Sequence, residues 1–208
     1  MKSEVFNQDC MEGMREFADD WFDLAVCDPP YGIKDWNKRG SNKLRQKGID
    51  SSKTKTWDIK PKQNYFDELL RVSKSQIIWG ANHFINNLTP SKGMIIWDKI
   101  QDGMHFNQCE IAWCNNLNES IKIFRLGSWL DKNRFHPTQK PVKLYGWIYK
   151  NYLPEGGKVI DTHLGSGSNR IAADKAGNID FTGYEIDKEY FEKAERRYKD
   201  FKSQLRMF

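Results

Sequence analysis

Cysteine is scarce in this chain of 208 residues: there are four, and none forms a CxxC pair. That spacing argues against a zinc site and a disulfide framework and predicts no metal; it points to a reducing, cytoplasmic setting. No apolar run reaches 18 residues, which excludes a membrane-spanning helix on hydropathy, and the charged N-terminal stretch lacks the core of a secretory signal. Internal repeats and low-complexity tracts are missing as well, so solenoid and fibrous architectures fall away. Neither sign of charge dominates, with 33 Lys and Arg against 28 Asp and Glu. What remains is the length and composition of one α/β domain over residues 1–208.

The most informative stretch is Asp28-Pro29-Pro30-Tyr31, directly after the apolar run Phe22 to Cys27. Proline fixes φ near about −65° and removes a backbone donor, so Asp28 and Tyr31 are held stiffly while nearby carbonyls stay free to accept. A carboxylate beside a carbonyl is an acceptor pair suited to an exocyclic NH2 group. Tyr31 adds a ring face, and stacking a base on such a face contributes roughly 1–3 kcal/mol. A plain strand followed by a Pro-Pro turn is the alternative on the tetrapeptide alone. Cys27, beside the motif, reads as a buried strand thiol.

Late in the chain, Gly157 to Asp161 reads as a buried strand, and Leu164-Gly165-Ser166-Gly167-Ser168 opens a helix running to about Ala176. Small residues at such a turn let a ligand approach the backbone, and open amides at a helix start suit a polar or anionic group. The next strand, Phe181 to Ile186, carries Glu185, which stands 20 positions beyond Gly165. That spacing suits a carboxylate on ribose hydroxyls. A dinucleotide fingerprint would place Gly or Ala near Arg170 and does not, so a nucleoside cofactor fits better than NAD.

Charge is concentrated in one segment. Residues 34–60 hold nine Lys or Arg and three Asp, a net of +6, which leaves about −1 for the rest of a chain of net charge +5. With Gly40, Gly48 and clustered Ser and Thr, the segment shows neither helical nor strand periodicity. A long polar loop just after the tetrapeptide is placed to grip phosphates through Lys34, Lys38, Arg39, Lys43, Arg45, Lys47, Lys53 and Lys55. Trp36 and Trp57 bracket it. Between the two motif regions, Tyr65 to Val72 reads as a helix and Ser75 to Trp79 and Gly93 to Trp97 as strands. Glu110 to Cys114 and Ser120 to Arg125 read as a pair of strands. Asn82 reads as a loop cap and Lys99 as a surface ion pair, with lining of a base pocket as the alternative for each. From Asp187 to Leu205, Tyr190, Phe191, Ala194, Tyr198, Phe201 and Leu205 share one face of an amphipathic helix.

Together these residues resemble the exocyclic-amino DNA methyltransferases that use S-adenosylmethionine. Asp28-Pro-Pro-Tyr31 matches their catalytic motif, Asp161-Thr-His-Leu-Gly165-Ser-Gly167 resembles their cofactor loop, and His136-Pro-Thr-Gln-Lys-Pro141 is similar to the segment that precedes it. The motif order is that of the circularly permuted beta class. The resemblance implies a Rossmann-like α/β fold with a mostly parallel seven-stranded sheet flanked by helices. It assigns Asp161, Gly165, Ser166, Gly167, Ser168 and Glu185 to the cofactor, with Glu185 on the ribose. Asp9 matches the acid near the cofactor adenine, and Thr138, Gln139 and Lys140 match the segment near its methionine end; Asp28 lies beside the transferred methyl. For Asp9 a helix N-cap and for Lys140 a solvated surface cation are the alternatives. Where the family usually has Pro-Phe this chain has Thr162-His163, so His163 takes the place of a ring that usually packs near the cofactor.

The resemblance further implies N6 of a flipped-out adenine in double-stranded DNA as the target, since Asp at the first motif position usually goes with adenine and Ser with cytosine N4. Target recognition generally falls between the two motif regions, which points to residues 34–60 and 99–135, the latter through Gln101 to Asn107. Transfer to cytosine N4, to RNA or to a glutamine amide remains as an alternative. A non-catalytic DNA-binding partner subunit and a nucleotide-dependent oxidoreductase are the other classes. A homodimer or a partner subunit fits the small size.

Overall fold

The computed structural model describes residues 2–33, 58–105, 107–117, 120–130 and 134–205. The eight residues predicted to grip phosphates, with Trp36 and Trp57, lie outside them. Eight strands form one sheet: β1 (Ser3–Phe6), β2 (Leu24–Cys27), β3 (Gln76–Trp79), β4 (Gly93–Asp98), β5 (Cys109–Asn115), β6 (Ile121–Arg125), β7 (Gly157–Asp161) and β8 (Ile179–Tyr184). Their order across the sheet is β1-β8-β7-β2-β3-β5-β4-β6. The expected count of seven omitted β1, a half-exposed edge strand carrying Ser3 and Glu4 among its four residues.

The strands that carry the motifs pair in parallel, and β2 reads as an unbroken apolar run because both its faces are covered. In β2, Leu24 and Val26 enter one core cluster while Ala25 and Cys27 enter the other. Helices α1 (Cys10–Met14) and α2 (Gln63–Val72) cover one face of the sheet. On the other lie α3 (Val142–Tyr152), α4 (Ser168–Ala176) and α5 (Lys188–Leu205). Helix α2 buries Tyr65, Phe66, Leu69 and Val72, the one-face spacing of a helix lying on a sheet. Gly177, at φ 78°, ends α4 by donating its N–H to the Ala173 carbonyl. No helix among the described residues is long and apolar enough to cross a membrane.

The expected pairing of the third and fourth central strands is corrected. Strand β5 inserts antiparallel between β3 and β4, and β6 pairs in parallel with β4 rather than with β5. Strands β2, β3 and β4 therefore run the same way, and the start of β5 arrives at the edge where they end. Chain connections leave β7 toward β8 on one side and β2 toward β3 on the other. The crevice at the carboxyl ends of β7 and β2 is thus a topological switch point, where open α/β sheets bind ligands.

Candidate active site

A cavity of about 550 Å³ opens at that crevice. The Asp28-Pro-Pro-Tyr31 loop lines it from β2, His163 to Ser166 from β7, Glu185 to Asp187 from β8, and His136 with Thr138 to Lys140 from the segment before α3. Asp9 to Met11, Asp58 to Lys62, Asn64, Tyr65 and Tyr145 complete the wall. Of the residues expected at a cofactor site, Asp161, Gly167 and Ser168 do not line the cavity. Asp161 lies behind it, accepting from the Asn169 side chain at 2.9 Å and from the His163 N–H at 3.1 Å. Burial raises its carboxyl to about 7 against those two donors. The Ser168 hydroxyl accepts from Arg197 at 2.8 Å, and Gly167 packs against Ala194.

The loop after β7 turns through Gly165 at φ 52°, in the left-handed region that favours glycine. Glu185 ties this loop to the end of β8: one carboxylate oxygen accepts the Gly165 N–H at 2.8 Å and the other the Asp187 N–H at 2.9 Å. Burial raises its carboxyl to about 7, with the two amides opposing. Asp9 caps α1, accepting the Met11 N–H at 2.8 Å, and also lines the cavity. His163 sits edge-on to Tyr65, with ring centroids 5.5 Å apart. Its Nδ1 meets the Thr162 hydroxyl at 2.9 Å, and that hydroxyl meets the Tyr65 hydroxyl at 2.7 Å. Burial lowers the imidazole to about 4, so at neutral pH His163 is an uncharged flat ring in the cavity wall.

In the Asp28-Pro-Pro-Tyr31 loop, Asp28 accepts from the Tyr31 hydroxyl at 2.5 Å through one oxygen and ion-pairs with Lys140 through the other. Burial raises its carboxyl above the ordinary range, with Lys140 opposing and Glu110 adding. Lys140 is not a solvated surface cation: its side chain is 1% exposed, and it also lies 3.1 Å from Glu110. Burial acts to lower its pKa, and the two carboxylates outweigh that, so it stays an ammonium. The Tyr31 ring stacks on His83 at 4.6 Å and meets Phe84 edge-on. Gly80, at φ 75°, lies so close that an added Cβ would stand 2.2 Å from the Tyr31 ring.

Three residues without a sequence signal join this site. Glu110 opens β5 and pairs with Lys99 at 2.5 Å, so Lys99 belongs to a largely buried ion pair and not a surface one. Asp58 accepts the Gly32 N–H at 2.8 Å through one oxygen, while its other oxygen is buried without a hydrogen-bond partner. Tyr65 reads as a core residue by its helical spacing and contributes to the wall. Asn82, by contrast, is exposed in a 3₁₀ turn and does not line the cavity. Gln101 to Asn107 lie in the β4–β5 connection, closed by Gln101 donating to the Asn107 carbonyl at 3.0 Å, at the same sheet edge as Asp28.

A protein-family profile described as DNA methylase, N6_N4_Mtase, matches residues 97–196. The chain is 24% identical over 241 residues to type II methyltransferase M2.MboI of Moraxella bovis, covering 93% of this chain and 86% of that one. It is 27% identical over 161 residues to M2.DpnII of Streptococcus pneumoniae, covering 74% of this chain and 53% of that one. Over residues 97–196 the chain is similar to the N6/N4 DNA methylases. The solved complex of M1.HpyAVI with SAM shares its fold at a TM-score of 0.62 and 17% identity, covering 95% of this chain and all 100% of the other. PvuII DNA methyltransferase, described as cytosine-N4-specific, does so at 0.64 and 12% identity, covering 95% and 86%.

The Gly80 contact makes a direct test of the geometry around Tyr31. Gly80→Ala forces a left-handed φ on a side chain and pushes the Tyr31 ring aside. It is expected to cost about 1–3 kcal/mol in stability and to slow methyl transfer by about tenfold to a hundredfold, since small misplacements at a reacting centre cost that much. Thermal melting and single-turnover methylation check the two effects.

Proposed function

We propose that this chain transfers a methyl group from S-adenosylmethionine to the N6 amino group of an adenine flipped out of double-stranded DNA. The observation that carries the reading is one cavity walled both by the acceptor pair at Asp28 and Pro29 and by Gly165 with Glu185. The residues present fit the cofactor. Glu185 keeps carboxylate lone pairs beyond its two amide contacts for ribose hydroxyls, and Tyr65, His163 and Ile186 offer apolar and flat surface for a ring. Asp58 brings an unpartnered buried oxygen. When bound, S-adenosylmethionine supplies an electrophilic methyl group on a sulfonium sulfur.

An adenine amino nitrogen is a poor nucleophile because its lone pair is delocalised into the ring. Hydrogen bonds from the NH2 group to the Asp28 carboxylate and the Pro29 carbonyl favour a more tetrahedral nitrogen and hold its lone pair in line for attack. As the N–C bond forms, the methyl–sulfur bond of the donor would break and leave a neutral thioether, while the nitrogen gains positive charge beside Asp28 and then loses a proton to solvent. No covalent enzyme intermediate is required, which leaves Cys27 as packing; burial raises its thiol to about 12. An adenine within a duplex cannot reach such a cavity, so the nucleotide is extruded at a cost of a few kcal/mol. Incubating the protein with unmethylated duplex DNA and methyl-labelled S-adenosylmethionine tests the reading; no label in N6-methyladenine refutes it.

The basic segment supplies the grip on phosphates in this reading. Replacing Lys43, Arg45 and Lys47 with glutamine is expected to weaken DNA binding and lower the slope of log affinity against log salt by about 2–3, one unit of slope being close to one phosphate contact. An unchanged slope in a filter-binding or anisotropy titration removes the segment from the interface.

A further inference from the structure

Behind the catalytic carboxylate runs a row of alternating charges that no motif announces. Lys99 Nζ lies 2.5 Å from Glu110 Oε1, Glu110 Oε2 lies 3.1 Å from Lys140 Nζ, and Lys140 ion-pairs with Asp28 Oδ2. The other Asp28 oxygen accepts from the Tyr31 hydroxyl. Four elements contribute: Asp28 follows β2, Lys99 follows β4, Glu110 opens β5 and Lys140 precedes α3. The rings of Trp97 and Trp79 lie under the two ammoniums, at 5.1 Å for Lys99 and 5.2 Å for Lys140. Two cations and two anions balance, but the row is not symmetric in function. Both oxygens of Asp28 are already engaged, so an ammonium drawn fully onto Asp28 competes with an incoming amino group for the same lone pairs.

We infer that Glu110, itself held by Lys99, is a positioning residue: by drawing Lys140 toward itself it sets both the charge on Asp28 and how much of that carboxylate is left for the substrate amino group. The inference rests on the functional reading above. An ammonium as buried as Lys140 has little water to pair with, so its place is fixed by the competition between its two carboxylates. The groups facing Asp28 are the Tyr31 hydroxyl from its own loop, Lys140 from the segment before α3, Tyr145 from α3, Glu110 from β5 and Asp161 from β7. His83 faces Glu110 from the turn after β3, and His136 faces Lys140. Burial would raise the Glu110 carboxyl, and Lys140 and Lys99 together outweigh it, bringing it down to about 2, so it stays charged wherever the enzyme works.

Opposite changes in this row should move the acid limb of the rate profile in opposite directions. In Glu110→Gln the full charge of Lys140 falls on Asp28, whose carboxyl then titrates lower, so the acid limb of single-turnover methyl transfer shifts down by about one pH unit. The plateau rate falls by about tenfold or more because the acceptor is occupied. In Lys99→Met, Glu110 has Lys140 as its remaining partner, pulls it from Asp28, and the limb shifts up. Lys99→Arg, which keeps the charge, leaves it in place. Cofactor affinity, measured by calorimetry, stays within about threefold in all three, because none of the changes removes a group from the ribose or adenine side. Limbs that stay fixed, or that move together, overturn the inference. Should Glu110→Gln fail to fold, the upward shift in Lys99→Met carries the test alone. An Asp28→Ala enzyme that still methylates DNA overturns the functional reading instead.

Discussion

Asp28→Ala abolishes methyl transfer, a loss of about a thousandfold or more in single-turnover rate, while S-adenosylmethionine still binds. In the proposed function the carboxylate is one half of the acceptor pair that prepares the amino nitrogen, and nothing else on the loop carries a charge: Pro29 and Pro30 contribute carbonyls and Tyr31 a hydroxyl that already donates to Asp28. Cofactor affinity is retained because Glu185, Gly165 and His163 stand on the β7 and β8 side of the cavity, independent of Asp28. Asp28→Asn separates shape from charge. It keeps a carbonyl acceptor and loses the anion, so its rate lies between those of the parent and the alanine variant. Rapid-quench methylation with saturating cofactor gives the rates, and equilibrium titration of the cofactor gives the second half of the prediction. A near-parental rate for Asp28→Ala removes the mechanism.

Lys140→Met has the largest expected effect on stability and a second signature in activity. Removing the ammonium leaves Asp28 without a counter-charge in a largely buried site, and breaking a buried pair in this way costs about 3–5 kcal/mol. Glu110 keeps Lys99 at 2.5 Å, so the uncompensated charge is on Asp28. Its carboxyl, already raised by burial, rises further once the opposing cation is gone. The sign of the pH effect follows. A carboxyl raised in the folded state makes the protein less stable as pH climbs through the interval between its unfolded and folded values. Activity behaves the other way, because the ionised form accepts from the amino group. Melting temperatures across pH, set beside single-turnover rates, should therefore show stability falling and activity recovering as pH rises. Parallel trends would contradict this assignment.

The chemistry was legible where neighbours in sequence are also neighbours in chemistry. Asp28-Pro-Pro-Tyr31 follows an apolar strand within a few residues, and the distance from Gly165 to Glu185 spans a single strand, helix and strand unit. Strand β2 showed itself as an apolar run, because a strand buried on both faces has no polar positions to interrupt it. The order of the central strands was not legible: the apolar content of β5 says that it is a strand but not which neighbours it joins, and it lies antiparallel between β3 and β4. Strand β1 escaped for the opposite reason, since a half-exposed edge strand with Ser3 and Glu4 lacks an apolar signature.

Long-range contacts between single charges were least visible. Glu110 and Lys140 stand 30 positions apart in different elements, and nothing in either local pattern distinguishes a buried ion pair from two solvated ends. A solvated surface cation is the alternative reading of Lys140 from sequence, because lysine usually is one. It is buried here because two carboxylates and an aromatic ring surround its ammonium. Asp58 was hidden in the same way at the end of a basic stretch. His163 stands where the family it resembles usually has a phenylalanine; burial keeps it neutral against Asp9, so the wall remains a flat uncharged ring.

The central claim, methyl transfer to adenine N6 in DNA, is tested most directly by expressing the chain in a host free of DNA methylation and sequencing its DNA for modified bases. That measurement reports the base, the atom and the surrounding sequence together. N6-methyladenine within one recurrent short sequence, lost in Asp28→Ala, is the predicted result. DNA without modification from cells that hold the folded protein, or methyl groups on cytosine N4 instead, would contradict it.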